Sequence, residues 1–274
     1  MKEAASGRRE DGRRFRRGRE RQAPETRGES WNEQMIEGRN AVAEALKSGR
    51  TIDKLFLAEG GTDHGLARLG AEARAAGAVV VPTDRRKLDQ MSQTGAHQGV
   101  IAMAAAHAYS TIDEMLQRAA ERGEPPLLIL CDELSDPHNL GAILRTGECA
   151  GAHGVVIPKR RSVGLTAVVA KASAGAVEYL PVARVANLAA AIQELKARGL
   201  WIFGTAANGT TPLYEADLRG PAAIVIGSEG EGMGRLVAEQ CDFKVSIPMK
   251  GEISSLNASA AAAVLLYEAV RQRS

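Results

Sequence analysis

From Met35 onward, short apolar runs alternate with longer stretches in which apolar residues recur every three or four positions. The first pattern fits strands and the second fits amphipathic helices. IEGRNAVAEALKSG (36–49) predicts a helix ending near Gly49, and KLFLAE predicts a strand. HGLARLGAEARAAG predicts a helix stopped by Gly77, followed by a second strand in AVVVP. DRRKLDQMS opens with Asp84 as a helix N-cap, and HQGVIAMAA is a third strand. These elements form a small βαβ-like unit over 34–105. TIDEMLQRAAERGE supplies a linking helix within 106–124. After the Pro125-Pro126 break, the strands LLILCDEL, GVVIP, VEYLPVARV, LWIFGTAA, AAIVIGS and FKVSIP alternate with helices near 139–150, 166–174, 187–199, 234–240 and 256–271. Such alternation over 125–274 predicts an α/β fold with a mainly parallel sheet covered on both faces.

The first 33 residues break this pattern. Residues 1–30 contain one Phe and no Leu, Ile or Val, so they cannot bury enough apolar surface to offset the entropy of ordering. A disordered basic tail is expected there. It changes the charge picture, because residues 1–30 hold ten of the 35 Lys and Arg but six of the 33 Asp and Glu. The remainder is slightly acidic. The run RRFRRGRER either grips RNA phosphates without sequence preference or simply keeps the chain soluble. The N-terminus is charged from Lys2 and has no apolar signal core, and the longest apolar runs are too short to span a bilayer. The expectation is a cytoplasmic protein with no membrane partner. Cys131, Cys149 and Cys241 form no CxxC and read as reduced, mostly buried thiols. Cys149 and His153 stand four apart on a predicted helix, but no second pair completes a metal site.

Candidate chemistry lies in three loops that each follow an apolar run. GSEGEGMG places glycines at 227, 230, 232 and 234, where backbone N–H groups can approach a ligand closely. The spacing matches neither a dinucleotide fingerprint nor a P-loop, which disfavours a Rossmann oxidoreductase. Read alone, it is a tight strand-to-helix turn. In VSIPMKGEISSLNASAAAAVLLYEA, Ser254, Ser255 and Asn257 stand at a helix start, suited to anionic or carbonyl groups, or Ser255 simply caps the helix. In DPHNLGAILRTGECAG, Asn139 stands at an N-cap position, with Arg145 about two turns later in an otherwise apolar helix. His138 sits beside Asn139 as a peripheral contact.

In order and combination, these three stretches resemble the three motifs of the SpoU/TrmH class of RNA ribose 2′-O-methyltransferases. The resemblance implies a SPOUT domain whose chain forms a deep trefoil knot. It implies S-adenosylmethionine as cofactor, held by Thr205, Ala206, Gly227, Gly232, Ile247, Pro248 and Leu256. It also implies a catalytic Arg145, with Asn139, Glu229, Ser255 and Asn257 orienting it and the ribose hydroxyl. A guanidinium is almost always protonated. Arg145 is therefore read as binding the adjacent phosphate or stabilising the developing alkoxide, although the resemblance permits a base. The 34–105 unit, ending in GAHQGVIA, is similar to the L30-like substrate-binding domain that precedes the methylase domain in this class. Within the class, the pattern is most like enzymes acting on a guanosine of 23S rRNA, with a tRNA guanosine methylase as the alternative. A homodimer through the knotted domain is implied. A non-catalytic RNA-binding protein is the competing reading from a different class.

Overall fold

A computed structural model describes residues 34–60 and 63–274. The tail expected over 1–33 lies outside the described residues.

The first sheet has four strands, β1 (Met35–Glu37), β2 (Ile52–Ala58), β3 (Val79–Thr83) and β4 (Val100–Ala104), in the order β1-β4-β2-β3. Three helices accompany it: α1 (Arg39–Lys47), α2 (His64–Ala75) and α3 (Arg85–Met91). The helix expected from residue 36 starts later. Met35–Glu37 pairs antiparallel with β4, and Gly38, at φ 88°, turns the chain from strand to helix in a conformation that favours glycine. Three residues are too short a run for periodicity to reveal. Asp84 caps α3 as expected, its side chain accepting from the Arg86 N–H. Val42, Leu55, Leu69 and Val100 are among the residues that make this sheet's core.

The second sheet begins after α4 (Ile112–Arg122), which opens on a Thr111–Glu114 capping box and closes at Gly123 in the left-handed region. It contains β5 (Leu127–Cys131), β6 (Gly154–Pro158), β7 (Val182–Val185), β8 (Trp201–Thr205), β9 (Thr211–Pro212), β10 (Ala222–Ile226) and β11 (Phe243–Ser246). The helices are α5 (Pro137–Cys149), α6 (Ala167–Ala172), α7 (Leu188–Ala197), α8 (Arg235–Gln240) and α9 (Ala258–Arg273). The strand order is β7-β6-β5-β10-β8-β11-β9, and every described pair is parallel. VEYLPVARV is a strand only from Val182. Its first part is a 3₁₀ turn, Ala176–Glu178, entered through Gly175 at φ 89°. Ala176 and Leu180 are buried there while Tyr179 is exposed, so an apolar run that reads as strand is here a turn anchored at both ends.

Successive strand residues enter opposite cores. Leu127, Ile129 and Cys131 face the layer that contains α5, α6 and α9, while Leu128 and Leu130 face the layer of α4, α7 and α8. The connection from β8 to β10 takes a long path. It passes β9 at the outer edge beyond β11, then sends Leu213, Ala216 and Leu218 into the core beside α9 before entering β10. In the sheet β11 lies between β8 and β9, and the return from β9 packs against α9. Arg273, at the end of α9, donates to the carbonyls of Leu218, Gly220, Pro125 and Pro126 and holds the helix in place. None of the described helices is long and apolar enough to cross a membrane.

The cysteines are more varied than expected. Cys131 is buried, Cys241 is half-buried and Cys149 is exposed. α5 ends at Cys149, so His153 does not share a helix with it. His153 is buried instead, its Nδ1 accepting from the Leu127 N–H at 3.1 Å and its Nε2 3.1 Å from Glu124.

Candidate active site

Because β5, β10, β8 and β11 are parallel neighbours, their C-terminal ends open on one edge of the sheet. Ligands of open α/β sheets bind at such an edge. Each candidate residue named from sequence follows one of these strand ends. Asn139 and Arg145 lie on α5 after β5. Thr205 and Ala206 end β8, Gly227 to Gly232 follow β10, and Ile247 to Asn257 follow β11.

The β10 loop folds back on itself. Ser228 and Gly232 exchange backbone hydrogen bonds of 2.9 and 3.0 Å, which leaves Glu229, Gly230 and Glu231 at the tip. Gly230 and Gly232 hold positive φ, at 91° and 71°. A Cβ at Gly227 would stand 2.3 Å from the Gly232 carbonyl carbon, so only glycine fits this close approach. Asp132, at the end of β5, pins the far side by accepting from the Gly234 N–H at 2.7 Å. Burial pushes its carboxyl above the usual range, against the pull of that N–H. Asp132 was not singled out from sequence. Its signal is an acidic residue directly after a fully apolar strand.

Three of the candidate side chains meet. Asn257 Nδ2 donates to Asn139 Oδ1 at 2.9 Å and to Glu229 Oε1 at 2.5 Å, and Asn139 Nδ2 donates to the same Glu229 oxygen at 2.9 Å. Asn257 also caps α9, its Oδ1 accepting from the N–H groups of Ser259 and Ala260. The cap is therefore Asn257 and not Ser255. Likewise Asp136, which accepts from the His138 N–H, caps α5, and Asn139 is a buried residue of the first turn. The cluster fixes one oxygen of Glu229 and leaves Oε2 without a partner among the described residues.

Arg145 and Ser255 stand apart from this cluster. Arg145 is exposed and makes no hydrogen bond or ion pair among the described residues. Six residues from Asn139 place it roughly 9 Å along the axis and about 120° around it. Its guanidinium is free to meet an external anion. Ser255 is exposed, and the stretch 248–256 makes no hydrogen bond among the described residues. Met249, Ile253 and Leu256 in this stretch are exposed apolar side chains, while Ile247 packs on the core. The β8 turn is firmer. Ala206 donates to the Val245 carbonyl and Thr205 Oγ1 to the Val225 carbonyl, each at 2.9 Å. Among the described residues, no group of three or more His, Cys, Asp or Glu side chains is placed to hold a metal ion.

Residues 126–267 match the model of the SpoU rRNA methylase family, and residues 35–110 match that of the RNA 2′-O ribose methyltransferase substrate-binding family. The chain belongs to the SpoU methylase family. It is an RNA 2′-O-ribose methyltransferase. Its relatives include YacO of Bacillus subtilis (strain 168), whose name places it in the TrmH family of tRNA/rRNA methyltransferases. That protein is 52% identical over 237 residues, covering 86% of this chain and 94% of YacO. A similarly named protein of Staphylococcus aureus (strain MSSA476) is 45% identical, covering 87% of this chain and 96% of its own. Among solved structures, the SpoU methyltransferase AviRb from Streptomyces viridochromogenes, in complex with AdoMet, is 26% identical with a TM-score of 0.56. The likeness covers 87% of this chain and 90% of AviRb. The open strand-end edge with its fixed Glu229 carboxylate is the candidate site for that chemistry.

Proposed function

We propose that this SpoU methylase uses S-adenosylmethionine to methylate the ribose 2′-OH of a guanosine in 23S rRNA. The observation that carries the reading is the Asn139–Glu229–Asn257 cluster, built from three separate loops at one sheet edge of a chain in this family. The residues fit the cofactor. Backbone groups of 248–256 have no partners among the described residues and suit a purine edge and an amino-acid moiety, and Met249, Ile253 and Leu256 suit its apolar parts. Thr205, Ala206, Gly227, Gly232, Ile247, Pro248 and Leu256 would hold it. When bound, the cofactor supplies an electrophilic methyl group on a sulfonium.

The protein's part is alignment of the hydroxyl, help with its proton and exclusion of water. Arg145 binds the phosphate next to the target ribose and stabilises the developing alkoxide. Glu229, held through Oε1, presents Oε2 toward the same edge. Ser255 lies on the loop that closes over the hydroxyl. The division of labour follows the two sheets: 34–105 grips RNA, 106–124 connects, and 125–274 carries the chemistry. Two copies associate through the 125–274 part, and exposed Tyr214 and Tyr267 beside and on α9 supply an apolar face for that contact.

Mapping of 2′-O-methyl sites in RNA from a strain lacking this gene tests the substrate. The expected result is one guanosine in 23S rRNA losing its methyl group. A complete rRNA set with a methyl missing from tRNA would replace the rRNA assignment by the tRNA one.

A further inference from the structure

We infer that Asp53, Arg184 and Tyr109 form a seam that sets the small sheet in a fixed position relative to Arg145, making them positioning residues for methyl transfer. The inference rests on the methyltransferase reading above. Asp53 sits where the β2–β4 register shifts between Ile52 and Lys54. Such an irregularity re-aims a side chain out of the ladder. Here it sends a carboxylate from the small sheet into the large one. Arg184 on β7 donates to Asp53 Oδ1 at 2.6 Å, and its other terminal nitrogen donates to the Asp53 carbonyl at 3.1 Å. Both side chains are less than a tenth exposed. The Tyr109 hydroxyl donates to Asp53 Oδ1 at 2.9 Å and accepts from the Leu165 N–H at 2.9 Å. The Arg184 guanidinium lies 5.4 Å from the centre of the Tyr109 ring.

The expected linker is therefore not a loose tether. Ala106 donates to the Leu165 carbonyl and Ser110 to the Val182 carbonyl, so the connection is sewn to the large sheet on both sides of Tyr109. Gly164 makes the approach possible, since a Cβ there would stand 2.2 Å from Asp53 Oδ2. A rigid path leads on from the seam. Leu165 and Thr166 lead directly into α6, and a Cβ at Gly141 of α5 would stand 2.4 Å from the Ala172 Cβ of α6. α5 carries Arg145. The same Arg184 also donates to the Lys159 carbonyl at 3.3 Å, which fixes the backbone from which Lys159 and Arg160 project, while Arg161 pairs with Glu133 at 3.0 Å. An RNA held on the small sheet thus meets cations at a set distance from the reacting edge. Buried ion pairs add little net stability, and here the pair's contribution is to hold the two sheets in one arrangement.

Asp53→Ala and Tyr109→Phe test the seam in the full-length enzyme, with protein-free 23S rRNA as substrate. Tyr109→Phe keeps the ring and serves if Asp53→Ala fails to fold. The KM for RNA should rise about tenfold in Asp53→Ala, and less in Tyr109→Phe, because a loosened small sheet removes binding shared by ground and transition states. kcat at saturating RNA and affinity for S-adenosylmethionine should stay near wild type. The distance between spin labels on Cys149 and on an Ala71→Cys variant should broaden in both. An unchanged KM, an unchanged distance distribution, or a parallel loss of kcat and cofactor affinity would overturn the proposal. A wild-type protein that binds no cofactor and methylates no RNA would instead count against the methyltransferase reading, while the spin-label distances still test the seam.

Discussion

Asn139 and Asn257 stand 118 positions apart in the chain and 2.9 Å apart at the open strand-end edge, where both amides donate to one oxygen of Glu229. The pair ties the first turn of one helix to the cap of another. A carboxylate held by two amide donors is aimed rather than merely present, because rotation about its side chain would break both bonds.

Replacing either amide with alanine should leave Glu229 with one donor instead of two and loosen it. Hydrogen bonds to charged groups are worth about 1.5–3 kcal/mol, so kcat should fall roughly ten- to a hundredfold in Asn139→Ala. Asn257→Ala also removes a helix cap, costing about 1 kcal/mol of stability. Radiolabelled methyl transfer together with thermal denaturation separates the two effects. Equal melting and equal turnover in both variants would leave the cluster without a role.

Arg145→Ala should abolish methyl transfer while leaving affinity for S-adenosylmethionine within about twofold, because the side chain touches no described part of the cofactor loops. Calorimetry for binding and turnover for activity are the two readings. Near-normal turnover would sink the assignment.

Gly227→Ala should damage the β10 loop, proposed to hold the cofactor, more than the fold. The added methyl meets backbone at Gly232, which cannot move without opening the Ser228–Gly232 turn. The strain is about 1–3 kcal/mol, and cofactor affinity should drop by about tenfold or more. Calorimetric titration with S-adenosylmethionine measures it.

Arg273→Met keeps the apolar stem of the side chain and removes donors to four carbonyls. Charged hydrogen bonds of this kind should make the loss about 3 kcal/mol. At about 2–4 °C per kcal/mol, Tm should fall by roughly 10 °C. A scan that shows no shift would mean the end of α9 is held by packing alone.

His153 predicts an acid-sensitive fold. Burial holds its imidazole below the usual value of 6.5, with Glu124 opposing the shift. The neutral ring accepts from Leu127 through Nδ1, and a proton there would break that bond. The folded value is the lower one. This stability is therefore present above about pH 6.5 and is lost as pH falls through the folded value. Urea midpoints should decline on the acid side of pH 6.5 in the wild type and less steeply in His153→Gln.

Much of the fold was legible because strands and helices impose periods of two and 3.6 on buried positions. The alternation after Pro126 is such a case, and GVVIP matches its strand residue for residue. The misreadings share a cause: short elements carry too few positions to show a period. β1 and β9 are of this kind, and the turn at 176–178 hid inside an apolar run because its buried positions, Ala176 and Leu180, flank it. Strand order was not legible, since β10 lies between β5 and β8 through contacts no local pattern records. The candidate site divides the same way. Asn257 stood out by type and loop position, and Glu229 only through the resemblance to the SpoU/TrmH motifs, but their convergence on Asn139 and the solitary exposure of Arg145 belong to the tertiary structure.

The bend of residues 206–221 imposes an order on how the enzyme is made. Synthesis runs from the N-terminus, so the small sheet and most of the large one precede β11, the 247–257 loop and α9. Until α9 is seated against that bend, Asn257 is not held beside Asn139, and Glu229 lacks one of its two amide donors. The cluster is thus among the last contacts of the fold to form.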